Sequence, residues 1–329
     1  MLIVYSNNAI NKALMYKPYR YITDYSGIKT QVLSALAYYD LFNFPLTKEE
    51  VFLFMTTRCE LDQVQHCLNY LSDNGFVYQL DNYYALKNDE YIVARRKAGA
   101  KKAQELLAIA ETVSSYLIKF PYVRGVAVSG SLSKKYADDK SDIDFFIITA
   151  TNRLWIARSL LHLLKKFSFI FNKQDYFCMN YFVDEVHAEI VEQNLFTATE
   201  TVTMIPLQGD LAFDKFYRAN IWTRDYLPNH LMRVSCAEPL KQGWIKSFTE
   251  ALFNNTIGEM LDNWLMKITA LSWNKKTKAG RLNQRGVLMS MMATKGYAKP
   301  NPVNFQNRIM TFYNEKVNRV IKNIEQDIF

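Results

Sequence analysis

The stretch VRGVAVSGSLSKKYADDKSDIDFFIIT, residues 123–149, constrains the fold of this chain more than any other. It reads as a short buried strand at Val126–Val128, a turn at Gly130-Ser131, one or two helical turns over Leu132–Ala137, and a second strand from Asp142 to Ile148. Side chains alternate along a strand, so Asp142 and Asp144 face one way while Ile143 and Phe145 face the other. Carboxylates held that close repel unless a divalent cation or a shared proton relieves them. Mg²⁺, or Mn²⁺ in its place, suits the pair because it accepts one or two carboxylates and completes its shell with water and phosphate oxygens. The turn supplies the other half of a phosphate site. Glycine lets the backbone approach a ligand, N–H groups at a helix start attract an anion, and the Ser131 hydroxyl can donate.

Taken together, Gly130-Ser131, ten intervening residues and Asp142-Ile143-Asp144 between apolar neighbours resemble the nucleotidyltransferase signature of the DNA polymerase β-like superfamily. The resemblance implies a mixed β-sheet with flanking helices. It also implies a triphosphate held at Gly130 and Ser131, with Ser133, Lys134 and Lys135 beside it, and a catalytic metal on Asp142 and Asp144. The superfamily's third strand carries a third carboxylate. Here that strand reads as Tyr176–Val183, and the matching position is Asn180, an amide that cannot take a proton at pH 7. Two readings follow. Either Glu189, on a further strand Val186–Val191, supplies the acid, with Glu192 another candidate, or Asn180 contacts a nucleotide that is bound without efficient transfer.

Residues 27–86 resemble a winged helix-turn-helix: a helix over Ile28–Tyr39, a capping box at Thr47-Lys48-Glu49-Glu50, a third helix over Glu60–Ser72, Gly75 to end it, and a hairpin across Asp81-Asn82. The charges argue against DNA reading. From Cys59 to Ala85 there is no Lys or Arg, while Glu60, Asp62, Asp73 and Asp81 are acidic, and phosphate neutralisation supplies most non-specific DNA affinity. A protein-docking module is the favoured use. Lys87–Lys119 reads as one long helix with an early basic cluster, Arg95, Arg96, Lys97, Lys101 and Lys102.

The chain's 329 residues allow two or three domains, and 49% hydrophobic content fills their cores. The expected division is an N-terminal extension 1–26, a winged-helix-like domain 27–98, a nucleotidyltransferase core 99–213 and a helical C-terminal region 214–329, an α+β chain overall. No run of eighteen uncharged apolar residues occurs, so no membrane span is expected. The start lacks the pattern of a signal peptide, and Cys59, Cys67, Cys178 and Cys236 lack metal or disulfide spacing; a cytoplasmic location is expected.

Past residue 213 the pattern is helical. Thr197 reads as the cap of a helix running to Ile205. Met260, Leu261, Trp264, Leu265, Ile268 and Leu271 form an apolar stripe expected to pack on the core. Between Asp262 and Glu315 there is no acidic residue, and nine basic ones there more than account for the net charge of +8. The leading expectation is a Mg²⁺-dependent nucleotidyltransferase acting on a nucleoside triphosphate and an unidentified acceptor. A nucleotide-binding scaffold and a nucleic-acid binder working through the basic segment are the alternatives.

Overall fold

The computed structural model describes residues 25–168, 170, 176–230, 237–241, 243–282, 291–300 and 303–327. Nearly all of the expected extension 1–26 lies outside these, as do Cys236 and Arg285. The architecture is α+β, with mixed sheet pairing and no barrel among the described residues. The chain forms two compact units: Met1–Asn88 with Arg224–His230 and Lys316–Phe329, and Asp89–Thr223 with Leu231–Glu315. The division therefore falls at 88/89, ahead of the long helix. Most of the segment after residue 213 belongs to the second unit.

In the first unit, α1 (Tyr25–Asp40) leads to β1 (Leu46–Thr47), α2 (Lys48–Leu53), α3 (Leu61–Asp73) and the hairpin β2 (Tyr78–Leu80) and β3 (Tyr83–Ala85). Thr47 starts α2 with a full capping box: its hydroxyl accepts from the Glu50 amide at 3.3 Å, and its own amide donates to the Glu50 carboxylate at 3.0 Å. α3 buries Val64, Cys67, Leu68 and Leu71. Burial pushes the Cys67 thiol up to about 12, so it behaves as a small hydrophobe. α3 ends before Gly75, whose φ of +74° only glycine adopts readily. β3 then lies between β1 and β2, antiparallel to both.

The second unit opens with α4 (Glu90–Leu117) and is built on a six-stranded sheet. Its strands are β4 (Val123–Val128), β5 (Asp144–Thr149), β6 (Cys178–Asp184), β7 (Ile205–Gln208), β8 (Met291–Ala293) and β9 (Tyr297–Pro300), in the order β7-β4-β5-β6-β9-β8. β5 and β6 are parallel, which requires a crossover, and α6 (Leu154–Ser168) supplies it. The preceding α5 (Gly130–Ser133) is a single turn. The remaining α-helices are α7 (Leu195–Thr203), α8 (Asp210–Ala219), α9 (Trp244–Phe253), α10 (Thr256–Lys278) and α11 (Val303–Asp327), the last of which belongs to the second unit only as far as Glu315. None among the described residues is long and apolar enough to cross a membrane.

Alternation along β4 and β5 sorts the core. Val126, Val128, Phe145 and Ile147 join Leu106, Ala110 and Val113 of α4, Trp155 and Leu161 of α6, and Trp273 of α10 in one buried cluster. Phe146 points the other way and packs on Phe216 of α8, ring centroids 5.0 Å apart. Asp262 of α10 caps the start of α6: its Oδ1 accepts from the Trp155 and Ile156 amides at 2.8 and 2.9 Å. Its Oδ2 is buried without a hydrogen-bond partner among the described residues.

Burial pushes the Asp262 carboxyl up to about 6, against the opposing pull of the two amides. A carboxyl raised in the folded state binds its proton more tightly there, so its stabilising contribution is complete below about pH 4 and disappears as pH rises through about 6. Thermal melts of wild type and Asp262→Asn between pH 4 and 7 test this. The wild type should lose on the order of 2 kcal/mol relative to the variant over that window; parallel curves would contradict it.

Candidate functional site

The site begins where β4 runs into α5. Gly130 has φ +70°, and a Cβ there would lie 2.7 Å from Asp144 Oδ2, so glycine is required both by conformation and by space. The Ser129 amide donates to the Asp144 carbonyl at 2.9 Å, holding the turn against the start of β5. Ser131 is exposed beside it. Ser133 is not available to a ligand: it is buried, and its hydroxyl donates to the Gly130 carbonyl at 2.8 Å.

The two lysines differ. Lys134 donates to Glu200 at 2.7 Å and to the Gly130 carbonyl at 3.1 Å, so its charge ties α5 to α7. Lys135 is exposed, in a left-handed conformation at φ +57°. Buried Arg96 of α4 explains how the loop is held there, since its Nη1 donates to the carbonyls of Lys134 and Lys135 at 3.2 and 3.3 Å. Arg95 lies 4.8 Å over the Tyr136 ring. These two members of the basic cluster thus engage the segment that follows α5.

β5 starts at Asp144, not at Asp142 as the alternation argument assumed. Residues 138–141 form a local turn, with the Asp138 amide donating to Ser141 Oγ and the Lys140 amide to Asp138 Oδ1, and pairing with β6 begins only at Asp144 opposite Cys178. Asp142 therefore precedes the strand. Burial pushes the Cys178 thiol up, and the charges of Asp144 and Asp142 push it further the same way.

Asn180 occupies a β-bulge. Phe145 pairs with Met179 and Phe146 with Tyr181, leaving Asn180 as the extra residue. A bulge re-aims a side chain, and here the Asn180 amide donates to Asp144 Oδ1 at 2.5 Å. The position expected to carry a third carboxylate instead orients the second one. Glu189 does not replace it. The expected strand Val186–Val191 is irregular backbone, and Glu189 is exposed with Gln193 donating to it at 3.0 Å. Among the described residues, no group of three or more His, Cys, Asp or Glu side chains is placed to hold a metal.

A cavity of about 320 Å³ opens from this point. Gly130, Asp144 and Asn180 line it together with Tyr181, Phe196 and Phe305, the last two rings packed edge to face at 5.7 Å. Glu192 also lines it and is ion-paired with buried Lys299, 107 positions away in sequence. Lys299, Glu200 and Tyr181 were not among the expected site residues. Lys299 belongs to the acid-free segment, but nothing local marks it as a basic residue drawn inside. Thr197 lines the cavity wall too, as the third residue of α7; the cap is Asn194, whose Oδ1 accepts from the Thr197 amide at 3.0 Å. Comparison with protein-family models, with curated proteins and with solved structures returns no match to this chain.

Proposed function

We propose that the second unit binds a nucleoside triphosphate with Mg²⁺ or Mn²⁺ and transfers the nucleoside monophosphate to an unidentified acceptor, as the sequence resemblance implies. The observation that carries this reading is that Gly130, Asp144 and Asn180 line one cavity, with the Asn180 amide donating to Asp144. The donor set fits the cation: two carboxylates and few other ligands leave room for water and phosphate oxygens, as Mg²⁺ prefers. Asp142 and Asp144 would hold the ion, which when bound supplies positive charge against the phosphates.

The chain's own groups perform the rest. The Gly130 turn brings backbone and the exposed Ser131 hydroxyl to the phosphates, Asn180 fixes the Asp144 carboxylate, and the aromatic walls exclude water from the reacting groups. The acceptor's nucleophilic atom bonds to the α-phosphorus as the bond to pyrophosphate breaks, and the proton it loses is taken up by the released pyrophosphate. Asp144, Glu192 and Glu200 line the cavity, with Lys299 and Lys134 paired to the last two. This arrangement leaves no excess positive charge for a triphosphate, so binding should depend on the divalent ion.

A second reading, binding without transfer, is favoured by one observation: the amide at position 180 donates to Asp144 and cannot accept the acceptor's proton. α-Labelled triphosphates offered with pooled hydroxyl- and amine-bearing acceptors separate the two. Label in a new product supports transfer, bound label without product supports the second reading, and no bound label removes both. In the first unit, the order helix, strand, two helices and hairpin supports the winged-helix reading, used as a protein-docking surface. Nucleic-acid binding through the basic segment is less favoured, because Lys295 is paired with Glu259 and Lys299 with Glu192.

A further inference from the structure

Helix α9 is inverted: it buries its charges and exposes its apolar residues. Lys246 and Glu250 are buried, while Trp244 is 80% exposed and Ile245, Phe248 and Leu252 are also in solvent. The orientation is fixed by polar contacts. Lys246 Nζ donates to the Ile118 and Val123 carbonyls at 2.7 and 2.6 Å, and Glu250 takes both arms of Arg124 at 2.8 Å. The outward apolar face is thus set by interactions on the opposite side of the helix.

α10 continues the pattern after a two-residue turn that Arg153 holds by donating to the Phe253 and Asn255 carbonyls, each at 3.1 Å. Ile257, Met260, Trp264, Ile268 and Leu271 are 45–69% exposed and fall on one helical face at spacings of three and four. At 150–250 Å² for an aromatic side chain and somewhat less for an aliphatic one, the nine exposed residues of the two helices present roughly 1,000 Å² of apolar surface. Soluble monomers rarely leave a contiguous patch of more than a few hundred Å² open, and larger ones mark protein or membrane contacts.

Charge selects between these occupants. Four and seven residues beyond Leu271, on the same face, stand exposed Lys275 and Lys278, and exposed Lys267 borders Ile268. The two carboxylates of α10 are engaged elsewhere, Glu259 with Lys295 and Asp262 with the amides of α6. The face is apolar and cationic. A second copy would bring the same lysines and no acid to meet them. An anionic lipid surface supplies both an apolar boundary for the tryptophans and negative headgroups for the lysines.

We infer that the α9–α10 face adsorbs to anionic bilayers. The test is flotation of the full chain with phosphatidylcholine vesicles with and without phosphatidylglycerol, at low and high salt, with sedimentation equilibrium alongside. The chain should float with the anionic vesicles, less so at high salt, and remain monomeric in solution. Trp264→Ser/Phe248→Ser and Lys275→Glu/Lys278→Glu should each weaken binding by about tenfold or more, with melting curves unchanged because these side chains are exposed. Absence of flotation, equal flotation by both variants, or a wild-type dimer that Trp264→Ser/Phe248→Ser dissolves would overturn the inference.

Discussion

Asp144→Asn is expected to lower metal-dependent turnover of triphosphate by on the order of 10³-fold or more, with little change in thermal midpoint. The separation of the two effects follows from the contact with Asn180. An asparagine at 144 can present its oxygen to the Asn180 amide and keep the hydrogen bond that closes this end of the cavity. What it removes is the negative charge that would hold the cation. Asp142→Asn should behave alike, since Asp142 is only half-buried ahead of β5. Steady-state release of pyrophosphate, with circular dichroism melts of each variant, gives both readouts. Turnover within a factor of two of wild type in either variant would remove that residue from the site.

The second large effect concerns stability. Glu250 accepts from the Tyr122 amide at 2.7 Å and binds both arms of Arg124, joining α9 to the start of β4. Burial pushes its carboxyl up, but the Arg124 fork, the Tyr122 amide and the charge of Lys246 outweigh that and hold it below the usual range. Glu250→Ala leaves Arg124 and Lys246 without their counter-charge, and Lys246, lowered to about 8 by burial and then by Arg124, becomes harder still to keep protonated. The expected loss is about 3–5 kcal/mol, as for removal of one partner from a buried ion pair. A carboxyl lowered in the folded state stabilises above its unfolded pKa, and the contribution disappears as pH falls through the folded value. Urea unfolding at pH 7 and pH 3.5 should therefore show a larger gap between wild type and variant at pH 7. A gap under about 1 kcal/mol at pH 7 would put the pair among ordinary surface ion pairs.

Local chemistry was legible in the sequence. The Thr47-Glu50 capping box and the strand at 126–128 depend on neighbours a few positions apart, and both form where expected, while the helical turn expected over Leu132–Ala137 forms earlier, at Gly130–Ser133. Properties set by pairing over long distances were not. Asp142 falls outside β5 because a turn at 138–141 engages the preceding polar groups. Asn180 faces Asp144 because of a bulge, and a bulge is a property of two strands in register rather than of one. The apolar stripe of α10 was expected to face the core; four of its six residues face solvent, because burial on α9 and α10 is decided by Lys246, Glu250 and Asp262 and their partners more than a hundred residues earlier. Periodicity identifies an amphipathic helix but does not say which face turns inward.

Calorimetric titration of the four ribonucleoside triphosphates, with and without Mg²⁺, into wild type and Asp142→Ala/Asp144→Ala tests the central claim most directly. At least one triphosphate should bind the wild type only when Mg²⁺ is present, and that binding should be absent from the double variant. Binding to neither protein, or the same affinity in both, would contradict a triphosphate site at the Gly130 turn.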